Sequence, residues 1–186
     1  EYQCVDLGLS VLWATRNVDA EQPEDRGNYF AWGMTETYYS SINPVTWKTD
    51  YSEGYAQKTY CGNAGTFKEW NTIPYNTDNN ILLSSCDAAT ANCIESKNWH
   101  GNWRTPDTTE FRALIDRNNC NWKHVNEGDV AGWTVISKVP GYEGNSIFLP
   151  ATGVYVEKAL DSLTEDFGYY WSSRRGGKTA SCLRQQ

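Results

Sequence analysis

The stretch Trp103-Arg104-Thr105-Pro106-Asp107-Thr108-Thr109-Glu110-Phe111 decides how the rest of the chain is read. It is a helix entry. Asp107 has a carboxylate that can accept from the orphan N–H groups of a first helical turn. Glu110, three residues on, can reach back to the cap's own N–H and complete a capping box. Pro106 stiffens the approach. Phe111, Leu114 and Ile115 then fall at i, i+3 and i+4 and make one apolar stripe. The pattern predicts a main helix over about 108–117. Trp103 and Arg104 at the entry read as structural, Arg104 as one half of an ion pair beneath the helix.

Working outward, Ser84-Ser85-Cys86-Asp87-Ala88-Ala89-Thr90-Ala91 is a second helix start, capped by Asp87 or Ser85, and predicts a short helix over about 87–96. Residues 4–15 read as two strand limbs about a Gly8-Leu9-Ser10 turn, with Val5, Leu7 and Leu9 alternating in one and Val11 and Trp13 in the other. Residues 19–28 are polar and punctuated by Pro23 and Gly27, hence a surface loop. Tyr29-Phe30-Ala31-Trp32-Gly33 reads as a short buried strand. Past the main helix, strands are expected at 120–125, 131–138 and 145–150, with a turn over Pro140-Gly141-Tyr142-Glu143-Gly144. Phe167-Gly168-Tyr169-Tyr170-Trp171-Ser172-Ser173 is the last strong strand, followed by a charged Gly turn from Arg174 to Lys178. Residues 35–80 hold no sustained period and read as a long irregular excursion within a single domain over 1–186. The class is α+β, a loop-rich antiparallel sheet around one main helix.

Composition agrees with this class and narrows function. Nine Trp and twelve Tyr stand beside a single Met in 186 residues, and 21% of residues are charged. Many aromatics with frequent turn residues suit a largely β, loop-rich domain. The formal net charge is −7. Without a basic stripe, nucleic acid is not expected as a partner. No stretch approaches the roughly 20 apolar residues of a membrane helix. The sequence begins at Glu1 with no signal-peptide pattern, so a processed start with any export signal out of view is expected.

Six cysteines, Cys4, Cys61, Cys86, Cys93, Cys120 and Cys182, contain no C-x-x-C pair, and His100 and His124 lie far from zinc spacing. No metal ligands are assigned and no cofactor is expected. Asp, Asn and loop carbonyls leave room for a structural calcium ion, although no D-x-D-x-D-G loop occurs. Disulfides and buried free thiols both remain open for the cysteines. The loop carboxylates, Asp19, Glu21, Glu24 and Asp25 in one group, Glu127 and Asp129 in another, Asp161, Glu165 and Asp166 in a third, read as solvated turn charges rather than a glycosidase pair. Ser172-Ser173 lies outside any G-x-S-x-G elbow. An enzyme is not expected.

Trp13, Trp32, Trp103, Trp133 and Trp171 lie in strand motifs or at the helix entry and read as core. Trp47, Tyr38, Tyr39, Tyr51, Tyr55 and Tyr75 sit among Ser, Asn and Gly, a composition that suits adaptable recognition or sugar stacking, and equally loops packing on themselves.

The motifs also resemble a known family. Val5-Asp6-Leu7-Gly8-Leu9-Ser10-Val11-Leu12-Trp13-Ala14-Thr15, Asn17-Val18 and Pro23-Glu24-Asp25-Arg26-Gly27-Asn28-Tyr29-Phe30-Ala31-Trp32-Gly33 are similar to the opening of the Fibrobacter major paralogous domain family of Bacteroides-type surface proteins. Asp87-Ala88-Ala89-Thr90 and Trp103-Arg104-Thr105-Pro106 with Glu110-Phe111 resemble its middle. Gly144-Asn145-Ser146-Ile147-Phe148-Leu149-Pro150-Ala151 and Gly168-Tyr169-Tyr170-Trp171-Ser172-Ser173 resemble its later part. The resemblance implies a C-type-lectin-like fold of the formylglycine-generating-enzyme branch, in which Asp107 takes the place of a capping Thr. It implies an exported, secreted or cell-surface bacterial binding module for a protein or glycan, with some relatives among the variable proteins of diversity-generating retroelements. An oxidase of that branch would need a reactive cysteine pair, and Cys182 stands alone near the end of the chain. The expected ligand contacts lie in loops and after Trp171, at Trp47, Tyr155, Arg174, Arg175 and Lys178. Asp107, Glu110, Trp103, Arg104 and Trp171 are expected to be structural. Relatives continue past the Trp171-Ser172-Ser173 motif, so the C-terminal strands look truncated, and an uncovered strand edge would favour self-association or completion by a partner strand, as in a structural or adhesin module.

Overall fold

The computed structural model describes residues 4–30, 32–35, 37, 39–40, 75–127, 130–156, 159–160, 166–176 and 179–185, with the backbone alone described at 39–40, 127, 130, 155–156, 159–160 and 179–180. The architecture is α+β with antiparallel sheets. Trp47, Lys178, Tyr38, Tyr51, Tyr55 and Cys61 lie outside the described residues, as does most of the 35–80 excursion.

The main helix, α2 (Thr108–Ile115), starts where its cap places it. Asp107 Oδ1 accepts from Glu110 N at 2.8 Å, and Glu110 Oε2 accepts from Asp107 N at 2.8 Å, a complete capping box. Phe111 and Leu114 are buried, but Ile115 is 44% exposed, against the expected stripe. Glu110 is buried on the same side. Its charge must lie beneath the helix to meet Arg104, which rotates the buried face away from Ile115. The helix also ends sooner than expected, with Asp116 as C-cap.

Helix α1 (Ala88–Asn92) is capped by Asp87, whose Oδ1 accepts from Ala89 N and Thr90 N. The sequence predicted a helix to about 96. The chain instead leaves the helix at Cys93, passes extended through Ile94, and makes a separate 3-10 turn at Glu95–Lys97. Asn98, at φ 61°, closes that turn, and the change of direction buries Trp99 at 2% exposure.

Three long strands form a meander, β7 (Cys120–Glu127), β8 (Val130–Ser137) and β9 (Ser146–Pro150), in full antiparallel register. A Cβ at Gly132 would come within 2.6 Å of Leu149 O, so glycine sets how closely β8 and β9 approach. A four-stranded sheet has the order β13-β12-β6-β5, with β5 (Tyr75–Asn76), β6 (Ile81–Leu82), β12 (Gly168–Gly176) and β13 (Thr179–Gln185). Short ladders join β1 (Cys4–Val5) to β2 (Trp13–Ala14), β3 (Asn28–Tyr29) to β4 (Tyr39–Ser40), and β10 (Tyr155–Val156) to β11 (Ala159–Leu160). At the turn after β1, Gly8 adopts φ +72° and a Cβ would strike the Tyr142 ring at 2.5 Å.

Two further expectations change. Past Tyr29 the aromatic run leaves the ladder and turns, and Trp32 reaches back to donate from Nε1 to Ser172 O at 2.7 Å. The charged segment expected as a turn from Arg174 to Lys178 continues β12 as far as Gly176, because an irregularity between Trp171 and Arg175 re-aims the strand so that Arg174 pairs with Ile81 and Gly176 with Thr179.

The core joins these layers. Leu7 and Trp13 from the N-terminal limbs, Phe111 and Leu114 from α2, Cys120, Val135 and Ile147 from the meander, and Leu183 from β13 form one buried cluster. The Trp13 and Phe111 rings sit 5.9 Å apart, so the helix entry is packed directly against the first hairpin.

Candidate functional site

Two carboxylates fix the helix entry. Asp87, buried at 3% exposure, caps α1 and also accepts from Thr105 N through Oδ2 and from Thr105 Oγ1 through Oδ1, each at 2.9 Å. One side chain thus ties the start of α1 to the segment that leads into α2. Glu110 holds Arg104 by two hydrogen bonds, Arg104 Nη1 to Oε2 at 2.9 Å and Nη2 to Oε1, the fork geometry that suits guanidinium and carboxylate. Burial pushes the Glu110 carboxyl up, but the Arg104 hydrogen bonds, the Asp107 N–H and the Arg104 charge outweigh it and leave it below its ordinary range.

Beside this entry lies a cavity of about 900 Å³. The first hairpin and the segment after it contribute Trp13, Arg16, Asn17, Arg26 and Asn28. The helix entry contributes Trp99, Trp103, Arg104, Glu110 and Phe111. The sheets contribute Phe148, Tyr169, Tyr170, Trp171 and, from β13, Cys182. Tyr29 and Phe30 complete an aromatic wall. The size, the mainly apolar walls and the few polar groups are those of ligand pockets in general.

The rings are held in place by their polar ends. Tyr29 donates to Thr152 O and Tyr170 to Pro150 O, each at 2.5 Å, while Trp171 Nε1 donates to Phe30 O at 2.8 Å and Trp103 Nε1 to His100 O at 2.8 Å. Burial holds the Tyr170 phenol well above its ordinary range, against the Asn17 hydrogen bond, and the nearby Arg26 charge also opposes the rise. Arg16 lies over the Trp99 ring at 5.0 Å and donates to Glu21 O at 3.0 Å.

The electrostatics of the lining are unlike those of the whole chain. Among the described residues, Arg16, Arg26 and Arg104 line it with a single carboxylate, Glu110, which is committed to Arg104. Neither Arg16 nor Arg26 forms an ion pair with a carboxylate among the described residues. Trp13 Nε1 and Arg16 Nε find no acceptor, and Asn28 Oδ1 no donor, among the described residues. A cationic, donor-rich wall thus sits in a chain of net charge −7.

The residues expected to contact ligand lie elsewhere or cannot be placed. Arg174 is in the β12 ladder opposite Ile81. The Arg175 guanidinium covers the Tyr75 ring at 4.5 Å and the backbone N–H of Arg175 donates to Asn80 O at 2.8 Å, so this part of β12 is built into the sheet. Tyr155 pairs with Leu160 in β10, with only its backbone described. By contrast Trp103, Arg104, Glu110 and Trp171, expected as scaffold, line the cavity, and Trp171 is 43% exposed. Asp107 does not line it. Sequence reading passed over Arg16, Arg26, Asn28 and Trp99. They come from separate segments, so no local spacing marks them; the unusual aromatic content was the one available signal.

Three of the described free thiols are held protonated. Cys86 is disulfide-bonded, and Cys4, Cys93, Cys120 and Cys182 are free. Burial, reinforced by Asp19 and Asp87, pushes Cys93 up to about 12; burial also raises Cys120, with Asp116 adding to it, and Cys182, against the Arg184 charge. Protonated thiols are poor nucleophiles. Among the described residues no three His, Cys, Asp or Glu side chains gather as a metal set, and no helix is long and apolar enough to cross a membrane. Comparison with protein-family models, curated proteins and solved structures gives no match.

Proposed function

We propose that this chain is a non-catalytic binding module of an exported bacterial protein, with a C-type-lectin-like fold, that recognises a protein or glycan ligand. The observation that carries the reading is the aromatic cavity of about 900 Å³ beside the helix entry. Its rings are fixed by hydrogen bonds to backbone carbonyls, so a ligand meets a preorganised wall and little side-chain freedom is lost on binding. Raised thiol pKa values favour binding over an oxidase of the formylglycine-generating type. Binding therefore moves from the expected region around Arg174, Arg175 and Lys178 to the face bounded by Trp171, Trp103 and the first hairpin.

A second reading has its own observation. β13 is the outer strand of its sheet, with no strand beyond it in the described ladders, and such an edge can pair with a strand from another chain. Self-association, or completion of the sheet in an adhesin, would follow. The test is a glycan and peptide array read with the chain and its Trp171→Ala variant, together with its mass in solution. The cavity reading expects array hits lost in Trp171→Ala; hits that persist in the variant, with a concentration-dependent dimer, favour the edge.

A further inference from the structure

We infer that the cavity takes an anionic sugar, with its carboxylate at Arg16 and Arg26 and its ring against the aromatic wall; this rests on the binding-module reading and specifies its ligand. The argument begins with charge. Arg16 and Arg26 line one cavity, in a chain of net charge −7, and neither has a carboxylate among the described residues. The bond to Glu21 O and the Trp99 ring hold the Arg16 guanidinium in place. Guanidinium groups without a carboxylate favour a ligand that brings an anionic acceptor. A planar guanidinium fits a carboxylate best, because both oxygens can be engaged at once.

Three ligand shapes compete for this wall. A purely apolar body would satisfy the rings and bring no counter-charge to Arg16 and Arg26. An extended peptide needs a continuous ladder edge, and of the described β13 side chains only Cys182 lines the cavity. A carboxylated saccharide suits the wall better: its C–H face lies on an aromatic ring and its carboxylate meets the arginines. Trp171, half exposed with its Nε1 anchored to Phe30 O, offers a fixed ring face at the rim.

The test is titration of the whole chain, by tryptophan fluorescence and calorimetry, with a galacturonate oligomer, with the same oligomer as its methyl ester, and with an acidic aromatic peptide. The ester keeps the rings and removes the charge. The acid is expected to bind at least about tenfold more tightly than the ester, and Arg16→Gln and Arg26→Gln are each expected to weaken the acid more than the ester and so narrow that ratio. Near-UV circular dichroism checks that each variant keeps its fold, and Arg16→Lys supplies a second variant that retains the charge and loses the fork. Equal binding of acid and ester would overturn the charge assignment and leave the binding module standing. Binding of the peptide alone would overturn the saccharide. No binding of any of the three would remove both the inference and the cavity reading on which it rests.

Discussion

The helix entry and the cavity wall are neighbours built on opposite rules. At the entry every charge is matched: Asp87 accepts four hydrogen bonds, and Glu110 holds both its own cap and Arg104. Along the wall, Arg16 and Arg26 lack carboxylates and Trp13 Nε1 lacks an acceptor among the described residues. A fully satisfied buried network specifies one local structure. An unmatched one holds interaction capacity in reserve. The difference teaches that in this molecule polar residues which fix the fold can be separated from polar residues available to a ligand by asking which have partners.

Substitutions should separate the two regions by stability. The largest loss is expected for Asp87→Ala, which strands the Thr105 N–H and hydroxyl and uncaps α1; a cost of roughly 3 kcal/mol or more should be read in urea unfolding. Glu110→Gln keeps the shape and weakens the fork and the capping box, for about 2 kcal/mol. Its effect depends on pH. The folded carboxyl lies below its ordinary value, so its contribution is present above the unfolded pKa and is lost as the pH falls through the folded one. The stability gap between the parent and Glu110→Gln should therefore be widest at neutral pH and narrow in acid; a gap constant with pH would contradict the pairing.

Trp171→Ala should cost less, about 1 kcal/mol, since the ring is half exposed and loses one hydrogen bond to Phe30 O. Arg26→Gln is expected to change stability least, within about 0.5 kcal/mol, because no ion pair is broken, whereas Arg16→Gln also loses the Glu21 O bond and the Trp99 contact and should cost about 1 kcal/mol. If either arginine variant destabilised the fold as much as Glu110→Gln, the contrast between entry and wall would be lost.

What could be read in advance follows from how far each signal reaches along the chain. The cap of α2, its capping box, the meander and the final strand are written in residues a few positions apart, where local chemistry decides. The limit of α1 was not, because it depends on Trp99 being drawn into the core and on Asn92 bonding to Thr35 O. Ile115 was misread because the buried partner of Arg104 lies on the same helix and rotates its inner face. Arg174 and Arg175 read as part of a charged Gly turn, yet pairing with Ile81 and the Tyr75 ring holds them in a sheet. The cavity was the least legible feature: Arg16, Trp99, Arg104 and Trp171 meet only after the first hairpin, the helix entry and β12 have packed together.

The most direct test of the division is a map of amide and indole chemical shifts as the galacturonate oligomer is added. Perturbations are predicted at Trp13, Arg16, Arg26 and Trp171, with the Arg174–Arg175 segment of β12 and the cap of α2 unchanged. Shifts confined to Tyr75, Arg174 and Arg175, with the cavity wall silent, would contradict the account.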